Sequence, residues 1–371
     1  MNTTRLKKVL PAGFAFFSML FGSGNLVYPL LIGQNTKGSY LFGMIGLTLS
    51  SIIFSFIGYV SIMSTQGDLK KYFSEMPHTL YFFMMLAIFL IIGPFLVIPR
   101  CTLVAFGGLK ELFPNIELAY FALFYLLTAF FLSFKEEKVI DIIGKYLTPL
   151  KLGGILFVIF GALYVLPDFN LESTSWAHAL SEGIVNGYKP MDLIGVLFFA
   201  SIIHKSLETQ LAEENNKDPK ELNRRGMLVG LVGLSCIGII YLFLLFLGAK
   251  YAFYTEGLDK ELILPRITTI ALGKLATATI AFTLFFATLA TSVTLCNVFT
   301  DFFVNTLLRG MISRKSGLIL TVVTSFVMTM LGFDFIDYLA GNFILWWLYP
   351  FLMSFVIFKS LKTYYLRMKS T

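Results

Sequence analysis

The sequence predicts an all-α integral membrane protein of about ten transmembrane helices, arranged as two inverted five-helix repeats in which the first and sixth spans are broken. Three observations lead to this fold class. The 371 residues are 57% hydrophobic and only 14% charged, whereas soluble domains carry about 25% charged residues. Charged or Gly/Pro-rich breaks divide the chain into about ten apolar segments. The first and sixth segments are irregular and occupy corresponding positions in the two halves.

The apolar segments between these breaks set the number of spans. A helix needs about 20 mostly apolar residues to cross the hydrocarbon core of a bilayer. Most of the segments reach that length, and the fourth and ninth are short. The predicted spans are 9–32, 40–63, 80–104, 117–134, 139–165, 191–207, 226–249, 266–300, 316–333 and 338–358.

Lysine and arginine predict the orientation of these spans, because short cytoplasmic loops hold an excess of basic residues. With the N-terminus inside, 19 of the 29 basic residues lie in inner segments. We therefore expect a multi-pass protein with both termini in the cytoplasm, and the net charge of +7 requires no nucleic acid as a partner. The outer loops hold only five basic residues: Lys37, Lys110, Lys189, Lys250 and Lys260.

The first span contains a stretch, LFGSGNLVYP at 20–29, that a regular membrane helix would avoid. We predict that the helix unwinds at Gly22–Gly24. A new half-helix downstream of Gly24 would expose the N–H groups of residues 25–27, which favour a carboxylate. Carbonyl groups near Phe21 would favour a small cation or an ammonium group. Alternatively, the two glycines only allow neighbouring helices to pack closely.

The sixth span is irregular because only 11 uncharged residues separate Asp192 from His204. Eleven helical residues rise about 16 Å, which is half of the hydrocarbon thickness. We predict that this span unwinds near Phe199–Ser201. Interrupted first spans in two inverted repeats are typical of a transporter with its site at the membrane midplane. The predicted organisation is a first repeat at 1–165, an extracytoplasmic connecting segment at 166–189, and a second repeat with a short cytoplasmic tail at 190–371.

Six stretches, in order along almost the whole chain, resemble the branched-chain amino acid:cation symporter family of bacteria (BrnQ-type), which belongs to the LeuT-fold group. The resemblance implies a secondary active transporter of the bacterial inner membrane that imports leucine, isoleucine and valine with sodium, by alternating access. Family members usually have twelve spans, whereas ten are predicted here. The stretches are FGSGNLVYPLLIGQ (21–34) and IGPFLVIPR (92–100), which are the most specific, then GKYLTPL (144–150), MDLIGVLFF (191–199), LATSVTLC (289–296) and LYPF (348–351).

The broken spans and the resemblance together indicate a substrate site. No arginine lies close to either break in the sequence. The presumed pocket offers aromatic and aliphatic groups and no fixed charge, so we expect the substrate to have an apolar side chain. Leucine, isoleucine, valine and methionine all satisfy this condition, and the preference among them stays open. The candidate substrate-binding residues are Gly22, Ser23, Gly24, Asn25, Ile92, Phe95, Phe198, Phe199, Ala200 and Ser201.

Span 8 contains a candidate sodium site. Thr288, Thr291 and Ser292 lie at positions i, i+3 and i+4, on one helical face, and a hard cation prefers oxygen ligands. The resemblance implies that carbonyl groups of Ser18 and Phe21 complete the site. Alternatively, the hydroxyl groups bond back to carbonyl groups four residues earlier.

Lys151 departs from the family pattern, which places an apolar residue after the LTP of span 5. A lysine at membrane depth is a functional candidate by default, although its long stem also allows it to reach the headgroups. In some relatives of this fold a lysine in the fifth span takes the place of sodium. Proton-coupled or ion-independent transport that uses Lys151 is therefore the alternative to sodium coupling, and no cofactor beyond a coupling ion is expected.

An integral membrane enzyme is the main rival class. It would need a catalytic cluster at membrane depth, such as HExxH, paired aspartates or a serine with its base. The sequence contains none of these motifs, and its three cysteines indicate neither a disulfide framework nor a metal site. The expected partners are an amino acid substrate and membrane lipid, and the oligomeric state stays open.

Overall fold

The computed structural model describes residues 3–134, 148–167, 172–214 and 218–370, and this part of the chain is largely helical. Within it, six helices are long and apolar enough to cross a membrane, and a bent pair forms a seventh span. Two shorter apolar helices occur at 118–132 and 151–164. The all-α membrane architecture is confirmed. The predicted start of span 5, at 139–147, lies outside the described residues.

The helices are numbered in chain order. Four π-helical turns interrupt or extend them, at 48–53 inside α3, at 91–95 between α5 and α6, at 302–307 after α13, and at 340–348 between α15 and α16. The bounds are α1 Thr3–Leu20, α2 Ser23–Thr36, α3 Tyr40–Met63, α4 Leu69–Tyr72, α5 His78–Leu90, α6 Val97–Leu112, α7 Leu118–Leu132, α8 Thr148–Tyr164, α9 Trp176–Gly187, α10 Asp192–Glu213, α11 Pro219–Lys250, α12 Ala252–Thr255, α13 Ile263–Asp301, α14 Arg314–Met330, α15 Gly332–Leu339 and α16 Tyr349–Ser370.

Helix packing follows the same scheme in the two halves of the chain. Both parts of span 1, α1 and α2, pack along α11, and both α9 and α10 pack along α3. Glycines make these approaches possible, as small residues do where lipid offers no hydrophobic driving force. A methyl group on Gly33 would overlap the carbonyl oxygen of Leu245, and one on Gly183 would overlap that of Gly43. Spans 1 and 7 are thus related to each other as spans 6 and 2 are, which is the arrangement that two inverted repeats require.

The break in the first span is present. Helix α1 ends at Leu20, α2 begins at Ser23, and the two axes are bent by 75°. The second half-helix therefore starts earlier than predicted, because the side chain of Asn25 accepts a hydrogen bond from the Gly22 N–H (2.7 Å) and caps the helix there. The first N–H groups of this half-helix, which have no acceptor four residues earlier within it, belong to residues 23–25.

The predicted break of span 6 near Phe199–Ser201 is wrong, since α10 runs without interruption through these residues. The helical path is broken at 188–191 instead, between α9 and α10. Pro190 disfavours a helical conformation for Lys189, and Met191 has a positive φ of 68°. Helix α9 lies in the predicted connecting segment 166–189, and it forms one candidate membrane span with α10, Trp176–Glu213. The bounds of the two repeats stay a prediction.

Span 3 contains a break that the sequence reasoning did not predict. Between α5 and α6, Gly93 has non-helical backbone angles (φ −90°, ψ −124°) and Pro94 follows it. Proline lacks the N–H that a continuous helix would use. The residues GPF within the stretch IGPFLVIPR are the sequence signal from which this break could have been predicted. This break sets the direction of α6, which carries Arg100.

Candidate functional site

A buried polar network joins the breaks of spans 1 and 6. Asn25, only 1% exposed, donates from Nδ2 to Asp192 Oδ1 (2.8 Å) and to the hydroxyl of Tyr241. Asp192 Oδ2 accepts hydrogen bonds from Tyr241 (2.7 Å) and from Ser51. Asp192 is the first residue of α10, where the helix dipole favours a negative charge. Four spans therefore meet at one carboxylate, and sequence reasoning missed this role of Asp192.

Arg100 lies between the same two breaks. Its Nε donates to the hydroxyl of Ser23 (3.2 Å), and its Nη1 donates to the carbonyl oxygen of Lys189 (2.9 Å). The side chain is 2% exposed. The sequence placed no arginine near either break, but span 3 brings this one there in three dimensions. An arginine within a predicted span was the signal that could have identified it.

Two residues of α2 pack closely around the Arg100 guanidinium. A methyl group on Gly24 would lie 2.7 Å from Nη2 and 3.0 Å from the Cα of Pro190, so no larger residue fits without displacing the guanidinium. The Tyr28 ring centroid lies 5.5 Å from the guanidinium carbon. The Tyr28 hydroxyl is fully buried and interacts with the side chains of Arg100 and Asp337.

Lys151 lies at the end of the other half of span 1. Its Nζ donates to the backbone carbonyl of Phe21, one of the oxygens assigned to sodium in the sequence analysis. The side chain is buried and lies over the Phe21 ring, 5.1 Å from its centroid. A positive charge at the C-terminal end of α1 is stabilised by the helix dipole.

The other candidate sodium ligands are engaged elsewhere. Thr288 and Thr291 donate to carbonyl groups four residues earlier (2.8 and 3.2 Å), as the alternative interpretation had it. Ser292 shares a hydrogen bond with Tyr125 (3.0 Å), and Ser18 lies half-buried in the last turn of α1. The three hydroxyl groups of span 8 are therefore hydrogen-bonded within the protein, and the Phe21 carbonyl accepts from Lys151. The sodium site stays a prediction.

The candidate residues of the apolar pocket lie in several parts of the bundle. Phe95 is 40% exposed and lines a groove with residues of span 10, and Ile92 packs against the main core. Phe198 packs against the Phe89 ring (5.3 Å between centroids). Farther along α10, Phe199 packs near Gly195, and Ala200 and Ser201 contact the turn at Gly67. Residues 198–201 lie within the continuous helix α10 and away from the break at 188–191. Gly22, Ser23, Gly24 and Asn25 lie together at the break of span 1, and the role of these residues in substrate binding stays a prediction.

An ion-pair network lies next to Tyr28, towards the predicted outer end of the bundle. Lys189 Nζ is 2.8 Å from Asp337 Oδ1, and Lys260 Nζ is 2.7 Å from Asp337 Oδ2. The side chains of Lys189 and Asp337 are only 11% and 13% exposed. The sequence had placed Lys189 in an outer loop; it lies instead in the break of span 6. The network ties that break to span 10.

Comparison with known proteins identifies the family. A sequence model described as branched-chain amino acid transport protein matches residues 5–371. The chain belongs to this family. It is 24% identical over 340 residues to the branched-chain amino acid transport system 3 carrier protein of Pseudomonas aeruginosa, covering 90% of this chain and 76% of that one. It is 26% identical over 336 residues to the branched-chain amino acid permease BrnQ of Bacillus subtilis, covering 86% and 73%.

Solved structures show the same fold in other transporters. A Na⁺-coupled sialic acid symporter superposes with a TM-score of 0.56 at 9% identity, covering 95% of this transporter and 78% of the symporter. A manganese transporter of Eremococcus coleocola superposes with a TM-score of 0.55 at 13% identity, covering 97% and 77%. The LeuT-like fold is therefore confirmed. The family also consists of transporters, and the enzyme alternative is excluded.

Proposed function

We propose that this transporter moves branched-chain and other hydrophobic neutral amino acids across the membrane by alternating access, with the substrate held between the breaks of spans 1 and 6. The observation that carries the proposal is the meeting of two unwound segments at buried polar groups, Asn25 with Asp192. Irregular backbone at membrane depth is tolerated where it lines a cavity. The substrate class rests on the family and on the names of the relatives.

Counterflow in proteoliposomes tests this proposal. Vesicles loaded with unlabelled leucine should accumulate labelled leucine from outside, because an alternating carrier exchanges one molecule for another. Isoleucine, valine and methionine should compete for uptake, whereas lysine and glutamate should not. Absence of exchange, or competition by lysine or glutamate equal to that by leucine, would contradict the proposal.

For coupling, we propose that Lys151 takes the place of a sodium ion, so that transport is proton-coupled or independent of ions. The hydrogen bond from Lys151 to the Phe21 carbonyl supports this proposal, because an ammonium group at this oxygen repels a second cation. A lysine buried in a span is also costly and marks a functional site by default.

Sodium coupling through Thr288, Thr291 and Ser292 is the second candidate. It is favoured by the sialic acid symporter of the same fold, which is Na⁺-coupled. Uptake at fixed pH with sodium replaced by choline separates the two. Unchanged uptake in choline together with loss of uptake in Lys151→Leu supports the role of Lys151 in place of sodium. Loss of uptake in choline supports sodium coupling. Lys110→Leu is the matched control, since Lys110 also donates to a backbone carbonyl, that of Ile116 (3.2 Å).

A further inference from the structure

Glu261 is a buried carboxyl group that the function proposed above does not use. It lies in the outer loop before span 8, in a single 3₁₀ turn at Lys260–Leu262, and is 8% exposed. Among the described residues, its Oε2 atom has no hydrogen-bond partner. Burying an ionised carboxylate is expensive unless it is paired. The burial of this side chain therefore favours its neutral, protonated form.

The charged groups around this turn are acids or are already paired. Helices α2, α6 and α13 pack against the turn. The side chain of Glu261 is next to two further acids, Asp259 and Asp334. Within α2 the only titratable side chain is the buried Tyr28. The basic residues on this side have acidic partners: Lys260 with Asp337 (2.7 Å) and Asp334 (3.0 Å), and Arg266 of α13 with Glu111 of α6 (3.3 Å).

These surroundings act on the protonation of Glu261 in one direction on balance. Burial raises the pKa of its carboxyl group from 4.5 to about 7, and the two neighbouring acids add to the rise. A hydrogen bond from its own backbone N–H and the charge of Lys260 oppose it. The buried side chain therefore gains or loses its proton near neutral pH, on the predicted outer side of the membrane.

The turn that carries Glu261 also helps to close the predicted outer end of the bundle. A methyl group on Gly107 of α6 would lie 2.4 Å from the carbonyl oxygen of Glu261, so the turn packs directly on α6. Lys260, the preceding residue, pairs with Asp337, which also pairs with Lys189 in the break of span 6 (2.8 Å). Displacement of this turn would therefore break part of the ion-pair network.

We propose that Glu261 is a proton-binding residue that controls closure of the outer side. With its proton bound, the turn at 259–262 stays packed on α6. When the proton passes to the external water, the charged carboxylate leaves its buried place, and the turn moves away together with Lys260. Gly257, with a φ of 77° and no atom within 4 Å of an added methyl group, provides a pivot before the turn. External acid should thus keep the outer side closed.

The sign of the pH effect follows from the two environments of the carboxyl group. Its pKa is about 7 in the closed turn and 4.5 in water. Closure therefore takes up a proton between these values. The stabilisation is complete below the lower value and is lost as the pH rises through the higher one. Each pH unit within this range changes the ratio of closed to open turns by up to about tenfold.

Hydrogen exchange followed by mass spectrometry, at pH 5.5 and 7.5, tests the proposal on the purified full-length transporter. The readout is the protection of peptides that contain the amide of Leu262, which donates to the Asp259 carbonyl (2.9 Å). After correction for the intrinsic pH dependence of exchange, protection should fall by about tenfold or more in the unaltered protein. Glu261→Gln, which is neutral at both pH values, should show no fall. Glu256→Gln and His178→Gln, which change the outer cavity beside the turn, are the controls and should keep the fall.

Gly107→Ala provides a second test if Glu261→Gln does not fold. Its methyl group would displace the turn, so protection should be low at pH 5.5 and nearly independent of pH. Gly153→Ala, with nothing within 4 Å, is its control and should behave as the unaltered protein. Equal protection at the two pH values in the unaltered protein, or a fall that persists in Glu261→Gln, overturns the proposal. The measurement needs no substrate, so absence of leucine counterflow would overturn the proposed function alone.

Discussion

Replacing Asn25 by alanine tests whether buried polar contacts hold the two broken spans together. The change removes the acceptor of the Gly22 N–H (2.7 Å) and one of the donors to Asp192 (2.8 Å). A hydrogen bond to a charged group contributes about 1.5–3 kcal/mol, and a neutral one about 0.5–1.5 kcal/mol. Gly22 is only half-buried, so water can replace part of the second contribution. The expected loss in the free energy of unfolding is about 2–4 kcal/mol.

The measurement is thermal unfolding of the purified transporter in detergent. A loss of 1 kcal/mol in stability lowers the unfolding midpoint of a protein of this size by about 2 °C. The midpoint of thermal unfolding should therefore fall by about 4–8 °C in Asn25→Ala. Asn35→Ala is the matched control, because Asn35 bonds the side chain of Glu182 (2.6 Å) at an exposed position. If the midpoints of the two variants agree within about 1 °C, the network does not hold the breaks together and the reasoning is refuted.

Two more predictions concern packing and pH. Gly33→Ala should destabilise the transporter by about 1–3 kcal/mol, since its methyl group would overlap the Leu245 carbonyl; Gly153→Ala, with nothing within 4 Å, should be neutral or slightly stabilising. Equal midpoints for these two variants would contradict this packing. Hydrogen bonds from Lys359 and Lys362 hold the pKa of Glu75 below its usual value. Their contribution is therefore full above the ordinary glutamate pKa and is lost as pH falls below it. The difference in unfolding midpoint between the unaltered protein and Glu75→Gln should stay constant from pH 7 down to the ordinary glutamate pKa and shrink below it, and a difference that stays constant below that pKa would exclude this effect.

The first break could be predicted because its causes are local. Two glycines, an asparagine that caps a helix and a proline lie within ten positions, and each acts on its own turn of the backbone. The break of span 6 was misplaced because charged residues were taken to end a membrane helix. Asp192 and Lys189 instead have partners inside the bundle, so their charged groups do not contact lipid and the cost of burying them is reduced. Those partners come from other spans, and no local pattern reveals them.

The place of Arg100 could not be predicted for a related reason. Its contact with Ser23 joins positions 77 apart, and its contact with Lys189 joins positions 89 apart. Both depend on how span 3 turns at Gly93 and Pro94 and on how closely α2 approaches it at Gly24. Spacing along one helix carries no information of this kind. Spacing did reveal the hydroxyl pattern of span 8, in which Thr288 and Thr291 bond back to their own helix and Ser292 bonds Tyr125 of span 4.

The bond between Asn25 and Asp192 also sets an order for the making of the protein. The two residues are 167 positions apart, so at a synthesis rate of about 5–20 residues per second Asp192 follows Asn25 by about 8–33 s. During that interval the nascent first repeat holds an amide whose partners Asp192 and Tyr241 do not yet exist. Once Arg100 is made, its guanidinium can reach Ser23 but not the carbonyl of Lys189. Arg100 can complete its contacts only after Lys189 has been made, and Asn25 only after Tyr241 has been made. A nascent chain that stalls before this point would leave both groups exposed to lipid or to the insertion machinery. The polar groups of the first repeat can therefore be fully paired only after the second repeat has entered the membrane.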